Sequence, residues 1–326
     1  MNCIVTEEGF DWCASYWKDH GQDFRWDTIF VLPSWLKAWL HAFAPEDKPH
    51  FLAVRHNDNV IGIAPLLIHN KVASIIGSPN VCDYSDFIVA PGEDSAFFQA
   101  LLQYLKQSGV NLLELRSIRP DSIVASSLFE TIPKLGYKVS FEQEDISLEV
   151  DLPATWDEYL QLLAAKQRHE LKRKLRRLEE AGIIDYTIID KADSTSEFMD
   201  TFLKMFVESR EDKATFMTEQ MSAFFRLMTK VMAEAGLIRS GILNLDNVPV
   251  AAVIAFDYNN TIYLYNSAYD PRYSSLSVGI LSKALFIKDS IDRGKKRFDF
   301  LKGGEHYKYQ LGGREVSLSR CQIEIG

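Results

Sequence analysis

The chain has 326 residues, 47% of them hydrophobic and 25% charged, with 36 Lys+Arg against 45 Asp+Glu and a formal net charge of −9. These proportions exclude a mainly disordered chain, and the length predicts two domains rather than one small core. A net acidic chain also argues against a general nucleic-acid binder.

In chain order, Cys3-Ile4-Val5-Thr6-Glu7-Glu8 offers neither a basic n-region nor a long apolar h-region, so no signal peptide is expected. The longest apolar run of note, Val60 to Ile68, is interrupted by Gly62 and Pro65 and is too short to span a membrane, so a cytoplasmic protein is expected. Phe51 to Arg55 and Val60 to Ile68 read as two strands flanking the turn residues His56 to Asn59, a hairpin. Ala96 to Gln107 reads as a helix stopped by Gly109, Asn111 to Arg116 as a strand, and Tyr137 to Leu152 as mostly extended. Trp156 to Ala181 contains no Pro or Gly and predicts one long helix, with Leu160, Ala164, Leu171, Leu175 and Leu178 on one stripe. Leu237 to Leu245 and Val248 to Tyr258 read as a second hairpin, Val278 to Asp292 as a helix stopped by Gly294, and Lys296 to Leu301 as a strand.

The second series repeats the first. Asp58-Asn59-Val60 and Asp246-Asn247-Val248 lie 188 positions apart, and the helix stops Gly109 and Gly294 lie 185 apart. Two landmarks in one order at nearly one spacing predict a duplicated domain. Between the copies, Lys166 to Arg177 carries seven Lys/Arg and one Glu, which leaves −15 on the remaining chain. Such a run reads equally as a solvated helix face or as a patch for an anionic partner; Arg293-Lys295-Lys296-Arg297 forms a second cluster.

The chemistry-bearing motifs are few. Cys3, Cys13, Cys82 and Cys321 show no CxxC spacing, which predicts idle thiols and no metal site. HExxH, GxSxG, P-loop and GxGxxG patterns are all missing. One helix start stands out. In the first copy it reads Pro91-Gly92-Glu93-Asp94-Ser95, with two carboxylates that would repel phosphate. In the second it reads Pro271-Arg272-Tyr273-Ser274-Ser275-Leu276-Ser277-Val278-Gly279, with no acid, one Arg and a Gly that lets a pyrophosphate approach the backbone. That is also the composition of a Ser-capped helix.

A strand, a Ser/Gly loop and a helix without the dinucleotide fingerprint resemble the acetyl-CoA pyrophosphate loop of GNAT acyltransferases. Phe298-Asp299-Phe300-Leu301-Lys302-Gly303-Gly304-Glu305-His306-Tyr307-Lys308 resembles the FDFLxGxExYK signature of the CelD-type branch, which is often associated with polysaccharide biosynthesis and is related to the two-domain FemABX peptidyltransferases. Ser277 to Leu281 is similar to that branch's SxGxLL helix start, Lys166 to Lys174 to its KxRxxLRR stretch, and Asp83-Tyr84-Ser85-Asp86 to its DYxD segment.

The resemblance implies an α/β (α+β) chain of two tandem GNAT-like mixed-sheet domains joined by a long basic helix. Residues 1–153 would form an N-terminal domain lacking an acyl-CoA site, and residues 154–326 a C-terminal domain with that site. It implies an acyl-CoA-dependent N- or O-acyltransferase, using acetyl-CoA or another acyl-CoA as co-substrate, in polysaccharide or cell-envelope biosynthesis. The acceptor would be an amino- or sugar-containing molecule, small or carrier-linked and anionic. Arg272, Tyr273, Ser274, Ser275, Ser277, Val278 and Gly279 would hold the donor. Asp299, Glu305, His306 and Tyr307 are the catalytic candidates, with Asp299 expected opposite the Phe298 and Phe300 rings and facing either a cleft or a basic neighbour. Asp83, Tyr84, Asp86, Lys166, Arg168 and Lys308 would bind the acceptor. Two alternatives stand beside this: a FemABX-like aminoacyltransferase using charged tRNA, and a non-catalytic GNAT-like binding module.

Overall fold

A computed structural model describes residues 3–21, 23–43, 46–78, 80–209 and 211–326. The chain divides into two compact units, Met1–Ile146 with Val316–Gly326, and Ser147–Glu315.

In the first unit the elements are β1 (Cys3–Glu8), α1 (Phe10–His20), α2 (Pro33–Phe43), β2 (Pro49–His56), β3 (Asn59–His69), β4 (Val72–Ile75), β5 (Ile88–Val89), α3 (Asp94–Gln107), β6 (Leu112–Ile118) and α4 (Ile123–Glu130). The chain then enters β7 (Lys138–Asp151), whose last residues belong to the second unit. That unit continues with α5 (Trp156–Leu162), α6 (Ala165–Ala181), β8 (Ile184–Ile189), α7 (Thr195–Ser209), α8 (Glu211–Phe216) and α9 (Glu219–Glu234). It closes with β9 (Ser240–Leu245), β10 (Val248–Tyr258), β11 (Thr261–Tyr269), α10 (Val278–Asp292), β12 (Arg297–Lys302) and α11 (His306–Gln310), after which β13 (Arg314–Glu324) returns to the first unit.

The strands of the two units follow one plan. In the first unit the order is β1-β2-β3-β4-β6-β13, and in the second it is β8-β9-β10-β11-β12-β7. Each is antiparallel except for one parallel pair, β4 with β6 and β11 with β12. The hairpin turns agree as well. Asn57 and Asp58 match Asp246 and Asn247, and Asn70 and Lys71 match Asn259 and Asn260; all have positive φ, as type I′ hairpins require. Both turn pairs are 189 positions apart, one more than the sequence landmarks suggest, because the first turn is built on Asn57-Asp58 rather than Asp58-Asn59.

The cores form where strand and helix patterns turn their apolar positions to one side. In the second unit Phe198, Phe202, Phe224 and Phe225 of α7 and α9 are fully buried, as are Leu281, Phe286 and Ile287 of α10 and Phe298 of β12. Each such side chain contributes about 2–3 kcal/mol over an exposed one.

The predicted single helix from Trp156 to Ala181 is two helices. The backbone is extended at Leu163 and Ala164, with ψ of 142° and 145°. The break lets Leu163 bury itself against Gly312, and Arg168 reaches back across it to Gln161 at 2.8 Å. Leu171 and Leu178 are buried as the stripe predicts, while Ala164 is exposed.

Candidate functional site

The second unit opens where its parallel pair ends. β11 and β12 pair only over Thr261–Tyr263 and Arg297–Asp299. Beyond that both strands are irregular. β11 shifts register against β10 between Ile254 and Ala255, leaving Tyr265 as an extra residue. β12 shifts against β7 between Asp299 and Lys302, where Leu301 has φ 60°. Bulges bend a strand and end its pairing, so the two strands part and leave a mouth between their C-terminal ends.

The chain leaving β11 forms a 3-10 turn over Pro271–Leu276, capped by Asp270, which accepts the Arg272 N–H. Ser277, at φ 60° and ψ 31°, is the pivot into α10. A non-glycine residue in this left-handed region is strained, a feature that clusters at ligand sites. The first two amides of α10, on Val278 and Gly279, meet no acceptor among the described residues, as expected of a helix start. Gly279 lies against the Tyr269 ring, where an added Cβ would stand 3.2 Å from Cδ1.

A cleft of about 360 Å³ lies at this helix start. Ser274, Ser277, Val278, Gly279 and Tyr269 line it, together with Lys213 of α8, Lys283 of α10 and Tyr307 of α11. No carboxylate among the described residues lines it, so the field that they set within it favours an anion. Lys213 donates to the Ser267 carbonyl at 2.6 Å and lies over the Phe206 ring. Lys283 is 6% exposed, donates to the Gly279 carbonyl at 2.8 Å and lies 4.6 Å from the Tyr307 ring centre. Burial holds the Tyr307 hydroxyl in its phenol form, with Glu305 adding to the effect.

A second, smaller cleft of about 190 Å³ lies alongside, Ile280 lining both. Lys166, Gln167, Glu170 and Lys174 of α6 line it with His306 and Gln310 of α11. The structure thus brings Lys166 and His306 together, two residues 140 positions apart in the sequence. On α6, Glu170 takes Arg173 in a two-pronged bond and Lys174 at 3.9 Å, and Arg176 approaches Glu180. Lys166, Lys172 and Arg177 form no ion pair among the described residues, so the helix keeps a positive face.

Several expected site residues serve the fold instead. Lys308 is 1% exposed, and its ammonium donates to the carbonyls of Leu301, Lys302 and Gly303 and to Glu305. It fastens the turn after β12 rather than facing an acceptor. Asp299 is buried like its Phe neighbours, and its Oδ1 takes the Leu301 N–H at 2.7 Å. Glu305 stands just before α11, its side chain making no cap bond, and pairs with Lys308, and neither carboxylate lines either of these two clefts. Arg272 is turned back on Asp270, the acid just before the acid-free stretch, and is 77% exposed. Tyr273 and Ser275 lie on the same turn outside the cleft lining.

In the first unit, Asp86 is buried and accepts the N–H groups of Phe87, Ile123 and Val124, fixing the start of α4. Burial raises its carboxyl to about 7, against the pull of those three donors. Tyr84 is buried under the Arg119 guanidinium, and Asp83 is half-buried nearby. Lys213 and Lys283 were not legible as site residues. Lys283 could have been noticed as a lysine within the otherwise apolar run Val278 to Ile287, whereas Lys213 carries no local signal.

No helix among the described residues is long and apolar enough to cross a membrane, and no group of three His, Cys, Asp or Glu among them is arranged to hold a metal ion.

Comparison with known proteins agrees with this geometry. Residues 165–309 match the family model described as "Acetyltransferase (GNAT) domain". No curated protein matches the chain. Similar solved structures include FemX, with a TM-score of 0.67 at 12% identity, covering 98% of this chain and 96% of that one. The C-terminal domain of a putative lysylphosphatidylglycerol synthetase from Agrobacterium fabrum has a TM-score of 0.61 at 10% identity, covering 96% and 92%. A tandem GNAT protein from the clavulanic acid biosynthesis pathway has 0.50 at 11%, covering 100% and 99%. At such identities the likeness is one of fold. Residues 165–309, within the second unit, thus match a GNAT acetyltransferase domain, in a chain whose fold is similar to FemX and to a tandem GNAT protein.

Proposed function

We propose that the chain is an acyl-CoA-dependent N- or O-acyltransferase whose donor site is the cleft at the start of α10. The observation that carries this reading is the parting of β11 and β12 beside a helix start with two open amides and, among the described residues, no carboxylate in its cleft. These residues fit a diphosphate: the amides of Val278 and Gly279 and the hydroxyls of Ser274 and Ser277 would hold it, with Lys213 supplying charge. Acyl-CoA would bring an activated carbonyl whose thiolate is the leaving group. Tyr307, kept protonated, is a hydrogen-bond donor and not a base.

The neighbouring cleft suits the acceptor. Lys166 and Lys174 would meet an anionic group, His306 would hydrogen-bond it, and Leu171 and Leu311 would shield it from water. Arg168, on the same helix, lies outside the lining of this cleft and donates to Gln161. The acceptor in this reading is an amino- or sugar-containing molecule that carries an anionic group, and the FDFLKGGEHYK segment favours the CelD-like branch and a role in polysaccharide or envelope synthesis. The first unit would lack a donor site, because Glu93 and Asp94 stand at the start of α3. The test is thiol release from a panel of acyl-CoAs with amino-sugar acceptors. Turnover lost in Gly279→Asp supports the reading, and no turnover with any donor removes it.

A second reading, aminoacyl transfer from charged tRNA, is favoured by one observation: the whole-chain likeness to FemX together with the positive face of α6. tRNA binding at low salt that falls on charge reversal of Arg168, Lys172 and Arg176 would support it. Acyl-CoA turnover with no tRNA binding would dismiss it.

A further inference from the structure

We infer that Lys283 is the proton acceptor of the acyl-transfer step, an assignment that rests on the proposed function. The geometry singles it out. The amine lies in the donor cleft, on the second turn of the helix whose first amides would hold the diphosphate. It makes one hydrogen bond, to the Gly279 carbonyl, and rests on the Tyr307 ring, which leaves a neutral amine its lone pair.

Among the described residues, the other titratable groups around it are otherwise committed. Lys213, facing it from α8, is tied to the Ser267 carbonyl. Lys308 of α11 is clamped by three carbonyls, and Glu305 before that helix pairs with Lys308. Tyr307 keeps its proton, and Tyr269 of β11 is a ring wall beside Gly279. His306 lines the other cleft, and Asp299 is occupied by the Leu301 amide.

The environment suits the role. Burial, with repulsion from Lys213 and Lys308 outweighing the pull of Glu305, lowers the Lys283 amine from 10.5 to about 7. In the step, the acceptor's amine or hydroxyl attacks the thioester carbonyl as its proton passes to Nζ of Lys283. A C–N or C–O bond forms, the C–S bond breaks, and the Lys283 ammonium returns the proton to the departing thiolate. The amine ends neutral, and no further reactant is needed.

The experiment uses the full chain. In the wild type, kcat/KM should rise with pH through about 7 and then level. Lys283→Arg, which keeps a charge it cannot shed, and Lys283→Met should each lose about 10²-fold or more and lose that limb, with CoA affinity within about threefold. A Lys283→Met enzyme that keeps the limb and about a third of the rate overturns the assignment. A readout independent of turnover accompanies these: with 15N-lysine labelling, the Nζ signal missing from Lys283→Arg should titrate near 7. Titration near 10 overturns the assignment. A wild type without thioester turnover would count against the proposed function, while the titration would still decide Lys283.

Discussion

Two buried lysines in one unit should respond oppositely to the same substitution. Lys308 is held by three carbonyls and Glu305; Lys283 has one carbonyl and a ring. Glu305 is 56% exposed at its side chain, so water screens that ion pair and the carbonyl bonds carry most of the effect. Lys308→Met keeps the volume but removes the clamp, at a cost of about 3–5 kcal/mol. At 2–4 °C per kcal/mol, the second unit should melt roughly 6–20 °C lower. Lys283→Met removes a different burden. Moving its amine from 10.5 to about 7 costs folding on the order of 4 kcal/mol at neutral pH. The single carbonyl bond returns about 1–2 kcal/mol of that. The variant should therefore be more stable, by about 2–3 kcal/mol, while losing activity.

The pH dependence follows from the sign. Between about 7 and 10.5 the unfolded chain holds a proton on Lys283 that the folded chain does not, so wild-type stability rises across that window. The advantage of Lys283→Met should shrink by the same amount. Differential scanning calorimetry at several pH values reads both effects. A Lys308→Met variant melting within about 2 °C of wild type, or both variants shifting in the same direction, would refute the reasoning.

Other outcomes can be checked alongside. Arg272→Ala should change CoA affinity by less than about threefold, since Asp270 already takes its guanidinium, whereas Gly279→Asp should abolish binding by setting a carboxylate at the helix start; isothermal titration reads both. Asp86 has the reverse linkage to Lys283. Its carboxyl is raised from 3.8 to about 7, so the stability it contributes is full below 3.8 and declines as pH rises to about 7. Asp86→Asn should remove that slope from urea unfolding of the first unit; a slope that persists would contradict it. Glu170→Gln should free Arg173 and Lys174 and tighten binding of an anionic acceptor, at little cost in stability because the pair is exposed.

Much of the fold was legible because it rests on local signals. The paired Asn and Asp residues mark two-residue turns, and Gly109 and Gly294 end helices at matching places. The sheet order adds what sequence could not show: one parallel pair per unit, ending after three residues. The break at Leu163 was hidden because nothing in the local composition opposes helix; burial of Leu163 against Gly312 decides it.

The site was legible only in outline. Ser274, Ser277, Val278 and Gly279 line the cleft at the start of α10 that we propose for the donor, and Lys166 and His306 share the second. Asp299, Glu305 and Lys308 lie in the signature segment too, but they build the turn after β12. A motif marks where chain and function are jointly constrained; it does not separate the residue that touches substrate from the one that holds the loop. Lys213 and Lys283 escaped notice because a cleft gathers them from separate helices.

The most direct test of the central claim is titration of the full chain with CoA, followed by heat and by saturation. One site per chain is predicted, lost in Gly279→Asp and unchanged in Glu93→Gln, because the proposed donor cleft lies in the second unit. Two sites per chain, or binding that survives Gly279→Asp, would contradict it.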